Sequence, residues 1–207
     1  LIVAIISNAT TIADAGAFSA SLGSMVLIKT LTASSSANLT FVHGASSVVL
    51  DSTYPIYQFE FINCHASGNA DYLSVNFSVD SGSNYNVAKT STAFRAYHTE
   101  DNSAASVDYL TDYDLAQGTG LQYLTGSLGN VNDESVSGTF NLFNPSSTTF
   151  VKHYIYRGNH SFNADGNIDF YAAGYGNTTS AINAVRFQMS SGTIDSGKIK
   201  LYGIKDS

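Results

Sequence analysis

Apolar residues in this chain recur at every second position almost from end to end, while the spacing of an amphipathic helix hardly occurs. In residues 71–80, Leu73, Val75, Phe77 and Val79 fall on one side, and Ser74, Asn76 and Ser78 on the other. A strand with one face on a core and the other in water needs that pattern. Tyr57, Phe59 and Phe61 repeat it against Gln58 and Glu60. Val185, Phe187 and Met189 do so against Arg186 and Gln188, and Ile199 and Leu201 against Lys198 and Lys200. Further strands are expected at residues 25–32, 38–42, 92–99, 121–125, 136–143, 149–156 and 167–173. Turn-forming clusters at 80–84, 129–133, 144–147 and 190–192 punctuate them. Many short strands without intervening helices specify an all-β fold, an antiparallel β-sandwich of jelly-roll-like character, expected as a single domain over residues 24–207.

A chain of 207 residues can bury a core without staples. Charged residues are only 12% of it, so its surface must be built from Ser, Thr, Asn and Gly. The 9 basic against 16 acidic residues cannot supply the clustered cations that phosphates require, so neither nucleic acid nor an anionic membrane surface is an expected partner. No apolar run approaches the roughly 20 residues of a membrane-spanning helix, so no membrane insertion is expected. Cys64 is the only cysteine, which excludes an intrachain disulfide and a cysteine zinc cluster.

Residues 1–23 read as an N-terminal arm or linker. Leu1-Ile-Val-Ala-Ile-Ile is either an arm that adds a strand to a neighbour or an ordinary first strand, and the Ala- and Ser-rich stretch 12–22 is either a short helix or a linker.

Several chemical motifs fail on inspection. Gly192-Thr-Ile-Asp-Ser-Gly197-Lys198 has phosphate-loop spacing, but Ile199 stands where a hydroxyl should hold magnesium, and a strand follows instead of a helix. It reads as a turn between strands. Cys64 and His65 are strand neighbours and point to opposite faces, so they cannot form a thiolate–imidazole pair. The remaining histidines lack metal-ligand spacing. Asn163, Asp165, Asn167 and Asp169 alternate as calcium ligands do, but no bidentate Glu follows, and a β-turn is the better reading. Asp108, Asp112 and Asp114, around Tyr109 and Tyr113, could line a sugar cleft with paired carboxylates, or simply form a solvated loop. No catalytic residue, metal site or cofactor is expected.

Tyrosine is the one recognition-type residue in excess, with 13 Tyr beside 12 Phe and no Trp. Its ring gives contact area at low entropic cost and its hydroxyl gives a hydrogen bond. Tyr109, Tyr113 and Tyr123 lie in or beside the longest irregular stretch and are the candidate binding residues; ordinary strand packing is the alternative.

The run Val185-Arg-Phe-Gln-Met-Ser-Ser-Gly-Thr-Ile-Asp-Ser-Gly-Lys-Ile-Lys-Leu-Tyr-Gly-Ile204 resembles the ending of β-rich virion structural proteins of marine bacteriophages, especially those of cyanobacteria. Leu50-Asp-Ser-Thr-Tyr-Pro-Ile-Tyr-Gln-Phe-Glu-Phe-Ile-Asn, Ser83-Asn-Tyr-Asn-Val and Phe143-Asn-Pro-Ser-Ser-Thr-Thr-Phe-Val-Lys-His extend the likeness over roughly residues 25–205. The resemblance implies a non-enzymatic virion component, a tail-fibre or capsid-decorating module acting in assembly or host-surface adhesion. Its partners would be other copies of itself in a homo-oligomer, other virion proteins, or a host-surface glycan. A carbohydrate-binding module of a secreted or surface protein is the alternative, and a glycan-degrading enzyme built on the Asp108–Asp114 region a third reading.

Overall fold

The computed structural model describes residues 24–206 in full, and residues 5–7, 10–14 and 17–18 as backbone. Those first pieces are β1 (Ile5–Ser7), β2 (Thr10–Asp14) and β3 (Ala17–Phe18), an antiparallel ladder in which β1 pairs with β2 and β2 with β3. The helix considered for residues 12–22 is therefore replaced by extended chain at 12–14 and 17–18. The rest of that stretch, like residues 1–4 of the arm, lies outside the described residues.

The remaining strands form two antiparallel sheets packed face to face, the β-sandwich expected from the alternation. The small sheet contains β5 (Leu39–Val42), β7 (Leu73–Ser78), β10 (Gln122–Tyr123) and β14 (Ala184–Met189), in the order β10-β7-β14-β5. The large sheet contains β4 (Met25–Thr32), β6 (Ile56–Ala66), β8 (Lys89–Thr99), β9 (Ala105–Tyr109), β11 (Val136–Phe143), β12 (Lys152–Phe162), β13 (Gly166–Gly176) and β15 (Ile194–Ile204). Its order is β4-β15-β6-β11-β12-β13-β8-β9, with the consecutive strands β11, β12 and β13 as a meander near its centre.

Aromatic side chains fill the space between the sheets. Phe187 on β14 meets Phe59 and Phe61 of β6 edge to face, with centroids 5.1 and 5.0 Å apart. Phe41 on β5 meets Phe59 at 5.2 Å, and Phe77 on β7 meets Tyr154 of β12 at 5.5 Å. All these rings are fully buried. Edge-to-face contact suits the ring quadrupoles, and each such pair adds about 0.5–1.5 kcal/mol beyond its buried area.

Four expectations need correction. Ser74, Asn76 and Ser78 are buried, because the small sheet's second face is covered too. The segment between β7 and β8 folds over that face and sets the Tyr85 ring 4.1 Å from the Arg186 guanidinium. The buried polar groups are then satisfied locally: Ser74 Oγ donates to the Gln188 carbonyl at 2.8 Å, and Asn76 Nδ2 to the Thr119 carbonyl at 3.2 Å. Val79, expected on the core side, lies past the end of β7 and is exposed. The stretch 192–198 is mostly strand and not a turn: β15 begins at Ile194 and carries register shifts at Ile194/Ser196 and Ser196/Lys198. Gly197 makes the second shift possible, with φ +108° and its Cα side facing the Asn63 carbonyl. Finally, β9 is a strand where irregular chain was expected.

Cys64 and His65 do point apart, but through a bulge. Asn63 adopts φ 47°, which resets the alternation so that Phe61 and Cys64 both face inward. The Cys64 thiol donates to the Lys198 carbonyl at 3.6 Å, while His65 approaches the Val131 carbonyl at 3.1 Å and Asp195 at 3.7 Å.

Candidate recognition surface

The three tyrosines singled out from the sequence do not form one site. Tyr113 and Tyr123 meet at 5.7 Å, and Tyr72, which the sequence did not single out, joins them by stacking on Tyr123 at 4.9 Å and abutting Tyr113 at 5.5 Å. Tyr113 also packs on Phe170 of the core at 5.9 Å. Its carbonyl accepts from the buried Gln122 side chain, whose oxygen in turn accepts from Tyr154. Burial, reinforced by the Tyr72 hydroxyl, pushes the Tyr113 phenol up to about 12. This cluster is half-buried and its main work is packing.

Tyr109 belongs to a different surface. It ends β9, is 55% exposed, and pairs in register with Phe94 of β8. Phe94 pairs with Tyr171 of β13, Tyr171 with Arg157 of β12, and Arg157 with Thr139 of β11. These five residues form one cross-strand row on the outer face of the large sheet. Phe94 and Tyr171 stack at 4.6 Å with planes 5° apart, and the Arg157 guanidinium lies 5.2 Å from the Tyr171 ring. A 4.6 Å spacing matches the distance between neighbouring strands. The rings therefore stand upright beside one another and turn their edges outward.

Charge within the row is held internally. Arg157 donates to Asp169 from Nε at 3.2 Å and from Nη2 at 2.8 Å, and the Tyr171 hydroxyl donates to the same carboxylate at 2.9 Å. The Arg157 hydrogen bonds hold Asp169 below its ordinary value, and Asp169 raises both Arg157 and Tyr171. The Tyr109 hydroxyl donates to Asp114 at 2.6 Å, which raises the phenol.

Beside this row runs a second one, of Asn141, Ile155, Ala173 and Thr92. Ile155 is 52% exposed between Asn141 of β11 and the small Ala173 of β13. The result is a shallow groove of about 490 Å³, lined by Thr90, Thr92, His153, Ile155, Ala173 and Tyr175. His153 and Tyr175 close one end with rings 6.0 Å apart.

On the strand β9 the alternation is turned outward. Its apolar residues Ala105, Val107 and Tyr109 point to solvent, with Val107 75% exposed, while Ser106 and Asp108 are the better covered ones. Asp108 turns away from Tyr109, accepting from Ser106 at 2.5 Å and lying 3.5 Å from Arg95. The carboxylates of Asp108 and Asp114 thus serve separate partners, and Asp112 is exposed. The alternating oxygens at 163–169 are likewise divided: Asp165 sits in the turn after β12 with φ 51°, Asn167 accepts from Asn159, and Asp169 binds Arg157.

No protein-family model, curated protein or solved structure matches this chain.

Proposed function

We propose that this chain is a non-enzymatic structural module at the surface of a bacteriophage particle, a tail-fibre or capsid-decorating component working in assembly or host-surface adhesion. In this reading the outer face of the large sheet is the contact surface. The observation that carries it is the exposed apolar patch of Phe94, Val107 and Tyr109 on the neighbouring strands β8 and β9, with Ile155 exposed two strands further on, on a sheet face that no other part of the described chain covers. Soluble monomers rarely leave such residues contiguous unless something binds there. The upright, edge-out rings suit interdigitation with another protein surface better than the stacking of a sugar ring on an aromatic face. The resemblance of the C-terminal run to phage virion proteins points to the same role.

The test is the native mass of the full chain and of the double variant Ile155→Asp, Phe94→Asp, together with incorporation of each into particles. The wild type is expected to assemble and the variant to remain folded but unassembled. Equal assembly by both would overturn the proposal. The groove beside His153 and Tyr175 favours a second reading, a carbohydrate-binding module, because it sets hydroxyls and ring edges around a small apolar floor. Glycan-array binding that is lost on Tyr175→Ala and kept in the single variant Phe94→Asp, which leaves the groove untouched, would select it.

A further inference from the structure

Lys89, the first residue of β8, is fully buried, yet among the described residues no carboxylate lies within ion-pair distance of it. Buried ammonium groups are ordinarily paired. Its Nζ instead lies 2.6 Å from the Asn76 side-chain oxygen and 3.0 Å from the Val87 carbonyl. Desolvation brings this amine down to about 8, so a substantial neutral fraction exists under mildly alkaline conditions.

Asn76 sits on β7 in the opposite sheet, 4% exposed, with its carboxamide fixed at both ends. Nδ2 donates to the Thr119 carbonyl at 3.2 Å, and Oδ1 accepts the main-chain N–H of Phe77 at 3.0 Å as well as Lys89. An unpaired amine is thereby held against an amide carbonyl that is already polarised by a backbone donor. The second buried lysine, Lys152, makes the contrast: its Nζ meets only the main-chain carbonyls of Phe150 and Thr178, and no side-chain amide.

We propose that Lys89 and Asn76 become joined by a side-chain amide bond, formed by the folded chain itself, that ties the large sheet covalently to the small one. Neutral Nζ attacks Cγ of Asn76, forming the C–N bond and placing negative charge on Oδ1, where the Phe77 N–H donates to it. A proton passes from Nζ to Nδ2, the Cγ–Nδ2 bond breaks, the carbonyl re-forms, and ammonia leaves. Nothing is oxidised or reduced and no co-reactant is consumed. Fixed proximity in a dry site replaces the encounter that makes such an exchange slow in water.

The experiment is intact mass spectrometry of the full chain, as purified and after prolonged incubation at about pH 9, where the amine is mostly neutral. The expected result is a mass lower than the sequence mass by one ammonia, with a branched proteolytic fragment joining the Asn76 and Lys89 peptides. The variants Lys89→Arg and Asn76→Ala should retain the full mass. Should either variant fail to fold, the wild-type fragment map decides alone. A folded wild type that keeps its full mass and yields separate peptides overturns the proposal, as does ammonia loss that persists in Lys89→Arg.

Discussion

Replacing Phe187 by alanine tests the aromatic core directly. The ring is fully buried and touches four others, at 5.0 Å (Phe61), 5.1 Å (Phe59), 6.0 Å (Phe140) and 6.3 Å (Phe41). Phe→Ala in a core costs about 3–5 kcal/mol, and the cost rises with the volume left empty. Here the surrounding rings are anchored on β5, β6 and β11, each held by ladder hydrogen bonds, so collapse into the gap is restricted. The expected loss is therefore at the upper end, about 4–5 kcal/mol. That is a large part of the ~5–15 kcal/mol that holds an ordinary domain together. With no tryptophan to report, urea unfolding is followed by far-ultraviolet circular dichroism. For a slope of about 2 kcal/mol/M the midpoint drops by roughly 2 M. Phe150→Ala, at a 69% exposed position, is the control and should stay within about 0.5 kcal/mol of wild type. A Phe187→Ala loss below about 2 kcal/mol would refute the reasoning that this ring bridges the two sheets.

Three further outcomes are expected. Gly197→Ala should destabilise by about 1–3 kcal/mol, since φ +108° disfavours any side chain and a Cβ would collide with the Asn63 carbonyl; an unchanged unfolding midpoint contradicts this. Burial, helped by the Arg95 charge, pushes His160 from 6.5 down to about 3, so the unfolded chain takes up this proton first as pH falls. Its contribution to stability is complete above about pH 6.5 and declines toward pH 3. His160→Gln can still accept the Gly126 N–H and should flatten the stability-against-pH slope in that window; an identical slope in both proteins rules the assignment out. Burial pushes the Cys64 thiol up to about 12, so a thiol reagent at about pH 8 should label nothing in the native protein and one group in denaturant, and rapid native labelling would count against the described packing.

The inward faces of β6, β7 and β14 were legible because Phe59, Phe61, Leu73, Val75 and Phe187 alternate with polar residues and do line the core. What covers the other face was not legible. Ser74 and Asn76 carry the polarity of a wet surface, yet tertiary contacts bury them, and nothing local announces the segment that folds over them. The strand β9 was missed for a related reason. Its Ala-Ser-Val-Asp-Tyr alternation is present, but the apolar set faces outward, so a rule that assigns apolar residues to a core has no place for it. Of the candidate residues, Tyr109 falls on the outer face, whereas Tyr113 and Tyr123 are drawn into packing by Tyr72, some 40–50 positions away in sequence. The row partners of Tyr109, namely Phe94, Tyr171 and Arg157, could have been found only from strand order and register, which alternation does not encode.

The edge of the large sheet where β4 pairs with β15 has a mechanical consequence. Met25 lies opposite Ile204, and the Lys205 N–H donates to the Ser24 carbonyl at 2.8 Å, so the two ends of the described sandwich leave it from the same corner. Tension applied between those two points loads the antiparallel ladder one hydrogen bond at a time, as a zipper opens, and β4 peels away at low force. Tension applied between residue 33, at the far end of β4, and residue 205 would load the same ladder along its length, with every bond sharing the stress. The sandwich is therefore soft or stiff according to where it is held.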